Sequence, residues 1–245
     1  MPDTQRSTAK QVSAVLFRGA AFQALALGFA YPSSAVLIQL KARWNALLNG
    51  SRPWPAGTRP SFQCTNKLLR DLDGETLEPE YVRLFGPAAR CPLYETAYGD
   101  AGRLLGRSAS LADIAGFYQA FGLHPATGNP HREDHIGLEL ECMSLLTVKE
   151  AYAMAEGWQE ALEVTRNAQQ RFVQDHLGTW IDAFTAQLRL CTPHPFYAAL
   201  GESLRALVRA EAICLQASPV AVGGPPVVDT LVGEDSLQCP YALSG

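Results

Sequence analysis

Apolar residues three and four apart recur along almost the whole chain, and before residue 217 no run alternates strictly between apolar and polar. A period near 3.6 buries one stripe of a helix, whereas a half-buried strand requires a period of two. The clearest case is "AVLIQLKARWNALLNG". Its Val36, Leu37, Leu40, Trp44, Leu47 and Leu48 form one broad stripe, preceded by Ser33 and Ser34 and ended by Gly50. Near the N-terminus, Phe17, Ala20, Ala21, Ala24 and Leu27 repeat the pattern up to Pro32. The apolar segment Gly19–Ser34, with Lys10 and Arg18 before it, has some character of a secretory signal. Arg18 interrupts the longer apolar pattern, however, so a first amphipathic helix is expected instead. No uninterrupted apolar run reaches membrane-spanning length, and this region carries no twin-arginine pair.

Punctuation divides the remainder. "SRPWPAGTRPS" (Ser51–Ser61) is a loop by its proline and glycine content, and a short helix with Leu68, Leu69 and Leu72 is expected to stop at Gly74. Ser110 and Asp113 are spaced as a capping box, opening a helix that carries Ile114, Phe117 and Phe121 and closes at Gly122. "HPATGNP" (His124–Pro130) is the clearest internal linker, which predicts a hinge or lobe boundary at about 122–132. From Arg132 to Gln216 the helical pattern breaks only at "TPHP" (Thr192–Pro195). The last segment, 217–245, is rich in Gly, Pro and Val and has no Lys or Arg. It is expected to lie extended over the helices or to be partly disordered. The fold class that follows is all-α: one helical domain over 1–216 and an irregular tail over 217–245.

Composition excludes some functions. The 245 residues carry a net charge of −4 with Lys and Arg scattered, so the electrostatic footprint of a nucleic-acid partner is missing. The six cysteines (Cys64, Cys91, Cys142, Cys191, Cys214 and Cys239) are widely and irregularly spaced, without a CxxC pair. They read as reduced, mostly buried thiols of a cytoplasmic protein, with Cys142 and Cys214 inside apolar helical patterns. Neither GxxxxGK[ST] nor GxGxxG occurs, so phosphate-cradling loops of those types are absent.

The stretch "NPHREDHIGLELECMSLL" (Asn129–Leu146) carries the chemistry. With a helix starting near Arg132 and turning about 100° per residue, Ile136, Leu140, Met143, Thr147, Ala151 and Met154 fall on one side. Asp134, Leu138, Glu141 and Leu145 fall on the other. His131 and His135 with Asp134 between them approach an inverted zinc motif, which requires His-x-x-Glu-His. Asp is one methylene short, His131 follows Pro130 directly, and Glu139, Glu141 and His176 offer no clear third ligand. A metal-dependent hydrolase built on His131 and His135 therefore stands as the alternative reading. Glu133 and Asp134 also suit the positive end of a helix. Between Glu133 and Glu163 there are eight acids and one base, Lys149. Such a run is either a solvated face or, with Leu138 and Leu145, a groove for a peptide both cationic and apolar.

Three blocks together resemble the TorD/DmsD/NarJ family of redox-enzyme maturation chaperones: "EYVRLFGPAARCPLYETAYG", "EDHIGLELECMSLL" and "FVQDHLGTWIDAFTAQL…HPFYAALGESLRALVRAE". The likeness covers about residues 10–215 and is nearest to members serving type II enzymes of the dimethyl sulfoxide reductase family. It implies an all-helical cytoplasmic chaperone, not an enzyme, with no cofactor or metal of its own. Such a protein binds a molybdoenzyme catalytic subunit, or its twin-arginine signal peptide, until the cofactor is inserted and Tat export can proceed. Matching positions are Tyr81, Leu84, Phe85, Pro92, Tyr94, Glu95, Asp134 and His135. The family's usual Glu-Pro before the Asp-His pair is His131-Arg132 here. The peptide site expected from the resemblance and the mixed strip comprises Tyr94, Glu95, Asp134, His135, Leu138, Glu141 and Leu145. Tyr94 is equally readable as a packed aromatic, Glu95 as a helix cap and His135 as a structural hydrogen-bond partner. Monomer and dimer both remain open, and no stable membrane association is expected.

Overall fold

The computed structural model describes residues 2–49, 53–86, 89–99, 104–124 and 131–226. Among these residues nine α-helices form: α1 (Pro2–Gly28), α2 (Ser34–Leu48), α3 (Arg59–Arg70), α4 (Gly74–Phe85), α5 (Leu104–Ala120), α6 (Ile136–Glu156), α7 (Gln159–Phe172), α8 (Gly178–Cys191) and α9 (Pro195–Leu215). A short 3₁₀ turn covers Glu95–Ala97, and a wide π turn, Val173–Leu177, joins α7 to α8 without breaking the helical path. The described residues contain no β-strand, only one isolated antiparallel bridge between Tyr94 and His135. The protein is all-α.

Local chemistry sets the helix ends. The Ser33 hydroxyl accepts from the Val36 amide to start α2, and Asp73 accepts from the Thr76 amide to start α4. Gly157 closes α6 at φ 72°, a left-handed conformation that costs a residue without Cβ little. The predicted α2 stripe does face inward, with Leu37, Leu40, Trp44 and Leu47 all buried.

Three boundaries differ from expectation. The helix expected to stop at Gly74 ends at Arg70, and Gly74 instead opens α4. Ser110 lies inside α5, which starts at Leu104, so the Ser110–Asp113 spacing is not a cap. Most consequential, α6 starts at Ile136 rather than near Arg132, because the His135 ring nitrogen accepts from the Gly137 amide and serves as the N-cap. The linker residues 125–130 lie outside the described residues. Ahead of them Gly122, at φ 67°, turns the chain out of α5. In the tail, residues 217–226 are irregular, with a bend at Gly224–Pro225, and the Val222 amide donates to the Thr179 carbonyl at 2.9 Å; residues 227–245 lie outside the described ones.

α6 is the central element, packed against α1 and α7, while α9 lies on α3 and α8. Gly19 of α1 meets Thr147 and Ser144 of α6 so closely that a Cβ there would collide with the Thr147 hydroxyl. Phe17, Phe22, Phe29, Trp44, Phe62, Phe172, Trp180, Phe184, Phe196 and Tyr197 fill the core. Tyr98 stacks on Trp180 at 5.4 Å between ring centres, tying the segment after α4 to α8. The first block of the sequence resemblance is packing: Leu84 is sealed, Phe85 meets Phe29 and Tyr197 edge-on, and the Tyr81 hydroxyl donates to the Phe29 carbonyl.

One polar cluster crosses this core. The Arg18 guanidinium donates to both carboxylate oxygens of Glu211 (2.8 and 2.5 Å), to Glu150 (3.3 Å) and to Gln169 (2.9 Å). Arg166 donates to Glu150 from the other side at 2.8 Å. The residue that breaks the apolar N-terminal pattern thus joins α1, α6, α7 and α9.

Of the cysteines, Cys91 and Cys142 are buried free thiols, whereas Cys64 and Cys214 are exposed. Burial of Cys214 was expected from its apolar neighbours, but it falls on the outward side of α9. Cys239 lies outside the described residues. Among the described residues, no helix is long and apolar enough to cross a membrane.

Candidate functional site

The segment Cys91–Gly99 crosses the start of α6 and is fastened there by its backbone. The Ile136 amide donates to the Leu93 carbonyl (2.8 Å) and the Glu95 amide to the Asp134 carbonyl (3.0 Å). These two bonds flank the Tyr94–His135 pair and form a clasp between residues some forty positions apart.

Side chains lock the clasp. Asp134 is fully buried; its carboxylate accepts from the Thr96 amide (3.2 Å) and hydroxyl (2.6 Å). Arg132 donates to both Asp134 oxygens at 3.0 Å and places its guanidinium 4.4 Å above the centre of the Tyr94 ring. His131 stacks on His135 at 3.9 Å, and the Tyr94 hydroxyl lies 3.4 Å from the His131 Nδ1. Burial, reinforced by the neighbouring His131, depresses the His135 pKa to about 3, so its Nδ1 stays free of a proton and keeps capping α6.

Beneath the clasp lies a sealed acid cluster. Glu95 and Glu139 are both buried, and Glu139 accepts from the Trp180 indole at 3.1 Å. Burial and then the negative Glu95 push the Glu139 carboxyl well above the ordinary carboxylate range. Both effects favour the neutral form of the Glu139 carboxyl. Among the described residues, buried Glu95 Oε2 and Glu139 Oε1 have no hydrogen-bond partner. His176, in the π turn, approaches Glu95 within 3.5 Å and Asp113 of α5 within 3.6 Å. Burial alone would lower the His176 pKa, but the hydrogen bond and charge of Glu95 outweigh it and raise it.

The expected site thus separates into two parts. Tyr94, Glu95, Asp134 and His135 do come together, but Glu95, Asp134 and His135 are sealed within the protein. Asp134 was expected to offer its carboxylate to a guest arginine. It precedes α6 rather than standing on its outer strip, and Arg132 of the same chain already occupies both of its oxygens. This corrects the expectation, and the reason lies in the departure His131-Arg132. The accessible part is Tyr94, half-buried at the clasp, followed along α6 by half-buried Leu138 and exposed Glu141 and Leu145. Partial burial raises the Glu141 carboxyl pKa.

The metal alternative does not fit this geometry. The rings of His131 and His135 lie face to face, only 15° from parallel, so their in-plane lone pairs do not converge, and the His135 Nδ1 is already taken. Among the described residues, no cluster of three His, Cys, Asp or Glu side chains could hold a metal ion. Sequence reasoning passed over Arg132 as a clamp and Thr96 and Glu139 as buried partners. Glu139 carried a signal, since it stands three residues after Ile136 and next to Leu140 on the inward side of α6.

Fold and site together define an all-helical protein in which a polar knot holds two segments in register and leaves an acid-and-leucine strip facing outward. The chain belongs to the nitrate reductase delta subunit family, whose model matches residues 34–186, and with it to the TorD- and NarJ-type redox-enzyme maturation proteins. It is similar to the chlorate reductase assembly chaperone protein of Ideonella dechloratans, 33% identical over 140 residues, covering 56% of this chain and 69% of that protein. The selenate reductase assembly chaperone protein of Thauera selenatis is 33% identical over 142 residues, covering 57% and 70%. Chaperone protein TorD of Aeromonas salmonicida is 28% identical over 149 residues, covering 59% and 63%.

Proposed function

We propose that this chain is a non-catalytic maturation chaperone for the catalytic subunit of an exported molybdoenzyme, acting in the cytoplasm. It holds the client's twin-arginine signal peptide, or the adjoining part of the apo-subunit, on the strip Tyr94–Leu138–Glu141–Leu145. Capture keeps the peptide from the export machinery until the cofactor is in place.

The observation that carries this reading is the strip itself, in a chain whose relatives are assembly chaperones. Glu141 stands between Leu138 and Leu145 on the outward face of α6, so one carboxylate sits among apolar contacts. A guanidinium can be taken bidentately there, while apolar peptide residues cover the leucines. The sealed residues Asp134, Glu95 and His135 act as positioning groups: they fix the clasp and hence the place of Tyr94 relative to α6.

Co-purification from the native host, with identification of the bound polypeptide, tests the proposal. A molybdoenzyme catalytic subunit is the expected client. Glu141→Lys should weaken capture by roughly ten- to a hundredfold, the loss of a charge-assisted bond of about 1.5–3 kcal/mol, and wild-type capture should weaken as salt rises. Recovery of no such subunit would overturn the assignment.

A further inference from the structure

Between Asp3 and Asp71 the sequence holds no acid, in a chain with 24 of them, yet nine of its 20 Lys and Arg fall there. α1, α2 and α3 are built from this stretch. Elsewhere on the surface, arginines are matched: Arg83 meets Glu80, Arg205 meets Glu202 and Arg209 meets Asp182. Among the described residues, exposed Arg59, Lys67 and Arg70 of α3 have no such acid in reach. The next acids in the chain, Asp71 and Asp73, lie past the end of α3, and Asp73 spends its carboxylate on the Thr76 amide and hydroxyl.

Two contacts lay α2 and α3 side by side and antiparallel. The Lys41 ammonium donates to the Arg70 and Leu72 carbonyls (3.1 and 2.7 Å). The Trp44 indole, further along α2, donates to the Phe62 carbonyl, further back in α3, at 3.1 Å. On their other flanks α2 meets α1 through Arg43 and Gln23, and α3 meets α9 through Thr65 and Ser203. One outward row is left on each helix. On α3 it is Arg59, Gln63, Lys67 and Arg70; on α2 it is Ile38, Ala42, Asn45 and Asn49. All are exposed, Ile38 by 70%. At about 100° per residue both rows border the α2–α3 contact, and the antiparallel course puts them on the same side of it. They are the two walls of one shallow groove, roughly 16 Å long at ~1.5 Å per residue. One wall carries three cations, and the other carries an isoleucine, a small side chain and two amides.

Charge decides what fits. Acids at three-four spacing along one flank of a helix, with small or apolar residues on the next, would complement both walls together. A lipid surface would find only Ile38 to bury. For nucleic acid, three cations in a chain of net charge −4 make a poor footprint. We infer that the α2–α3 groove docks an acidic amphipathic helix of about three turns from a partner protein. A cationic peptide is repelled here, so this face and the α6 strip take different guests. The inference does not rest on the chaperone reading.

The probe is a labelled synthetic peptide of about fourteen residues, held helical by a side-chain staple, with glutamates at three-four spacing and alanine and leucine on the adjoining flank. One control replaces every glutamate by lysine; a second, unstapled, carries a central proline, which breaks a helix. Titrated against the full chain, the acidic helix should bind roughly tenfold or more tightly than either control, and less tightly as salt rises. Arg59→Glu with Lys67→Glu should weaken it roughly tenfold, and Ile38→Asp on the other wall should weaken it too. These positions are exposed, and a Glu at the start of α3 favours the helix, so the fold should persist; far-ultraviolet circular dichroism checks this. The same double variant should capture a twin-arginine peptide as well as the wild type does. Binding unchanged in the double variant, or equal for the acidic helix and either control, would overturn the inference. So would a loss of twin-arginine capture in that variant, which would make the two faces one site. Tighter binding to phosphatidylglycerol vesicles or duplex DNA, lost in the same variant, would put another class of molecule in the groove. Dimerisation abolished by those substitutions would put a second copy there, and either result would sink the proposal.

Discussion

Arg18→Met is the perturbation whose size the structure bounds best. It leaves the Glu211 carboxylate, 1% exposed, without the guanidinium that met both its oxygens. Glu150, fully buried, keeps Arg166 and Gln169 as partners. Removing one member of a buried ion pair costs about 3–5 kcal/mol, because the remaining charge stays uncompensated. For a chain of this size each kcal/mol shifts Tm by about 2–4 °C, so a fall of roughly 6–20 °C is expected. Urea unfolding followed by tryptophan fluorescence gives the free energy directly. A second variant carries the logic further. Arg18→Met with Glu211→Leu replaces the pair by apolar groups, which is often close to neutral; it should be more stable than Arg18→Met alone. A loss below about 1 kcal/mol in the single variant, or a double variant no better than the single, would refute the assigned coupling.

Glu139→Gln tests the raised pKa of the carboxyl buried beneath the clasp. Glu139 ionises near 4.5 when unfolded but much higher when folded, so above pH 4.5 the folded state binds more protons and stability falls as pH rises. The variant should lose less stability than the wild type across that range, and parallel pH–stability curves would contradict the raised pKa. Asp134→Ala should cost about 2–3 kcal/mol by breaking the charged bonds to Thr96 and Arg132, measured by the same unfolding assay. A fully stable variant that had lost its client would instead mean that Asp134 reaches the guest itself.

The helices were legible because a 3.6-residue period survives in any stripe that faces a core, as Leu37, Leu40, Trp44 and Leu47 show. The start of α6 was not, since a histidine ring nitrogen does the capping and Glu133 and Asp134 resemble first-turn acids. Ser110 and Asp113 met the letter of a capping box, yet the helix continues upstream of them. The bridge between Tyr94 and His135 spans too much sequence for any local pattern to reveal. The acid run from Glu133 misled for a related reason. Asp134, Glu139 and Glu150 point inward to Arg132, Trp180 and Arg18, and sequence alone does not say which face of a doubly apolar helix is covered.

The wide turn at Val173–Leu177 acts as a phase shifter. One additional residue in an otherwise continuous helix rotates everything beyond it by about 100°. Ahead of the turn, α7 presents Thr165, Ala168 and Phe172 inward; behind it, α8 turns Trp180 and Phe184 toward Tyr98. His176 sits where the rotation happens, between Glu95 and Asp113. Deleting any one residue there would restore the ordinary pitch, swing the two aromatic rings off Tyr98 and unseat the clasp that gives the outward strip its shape.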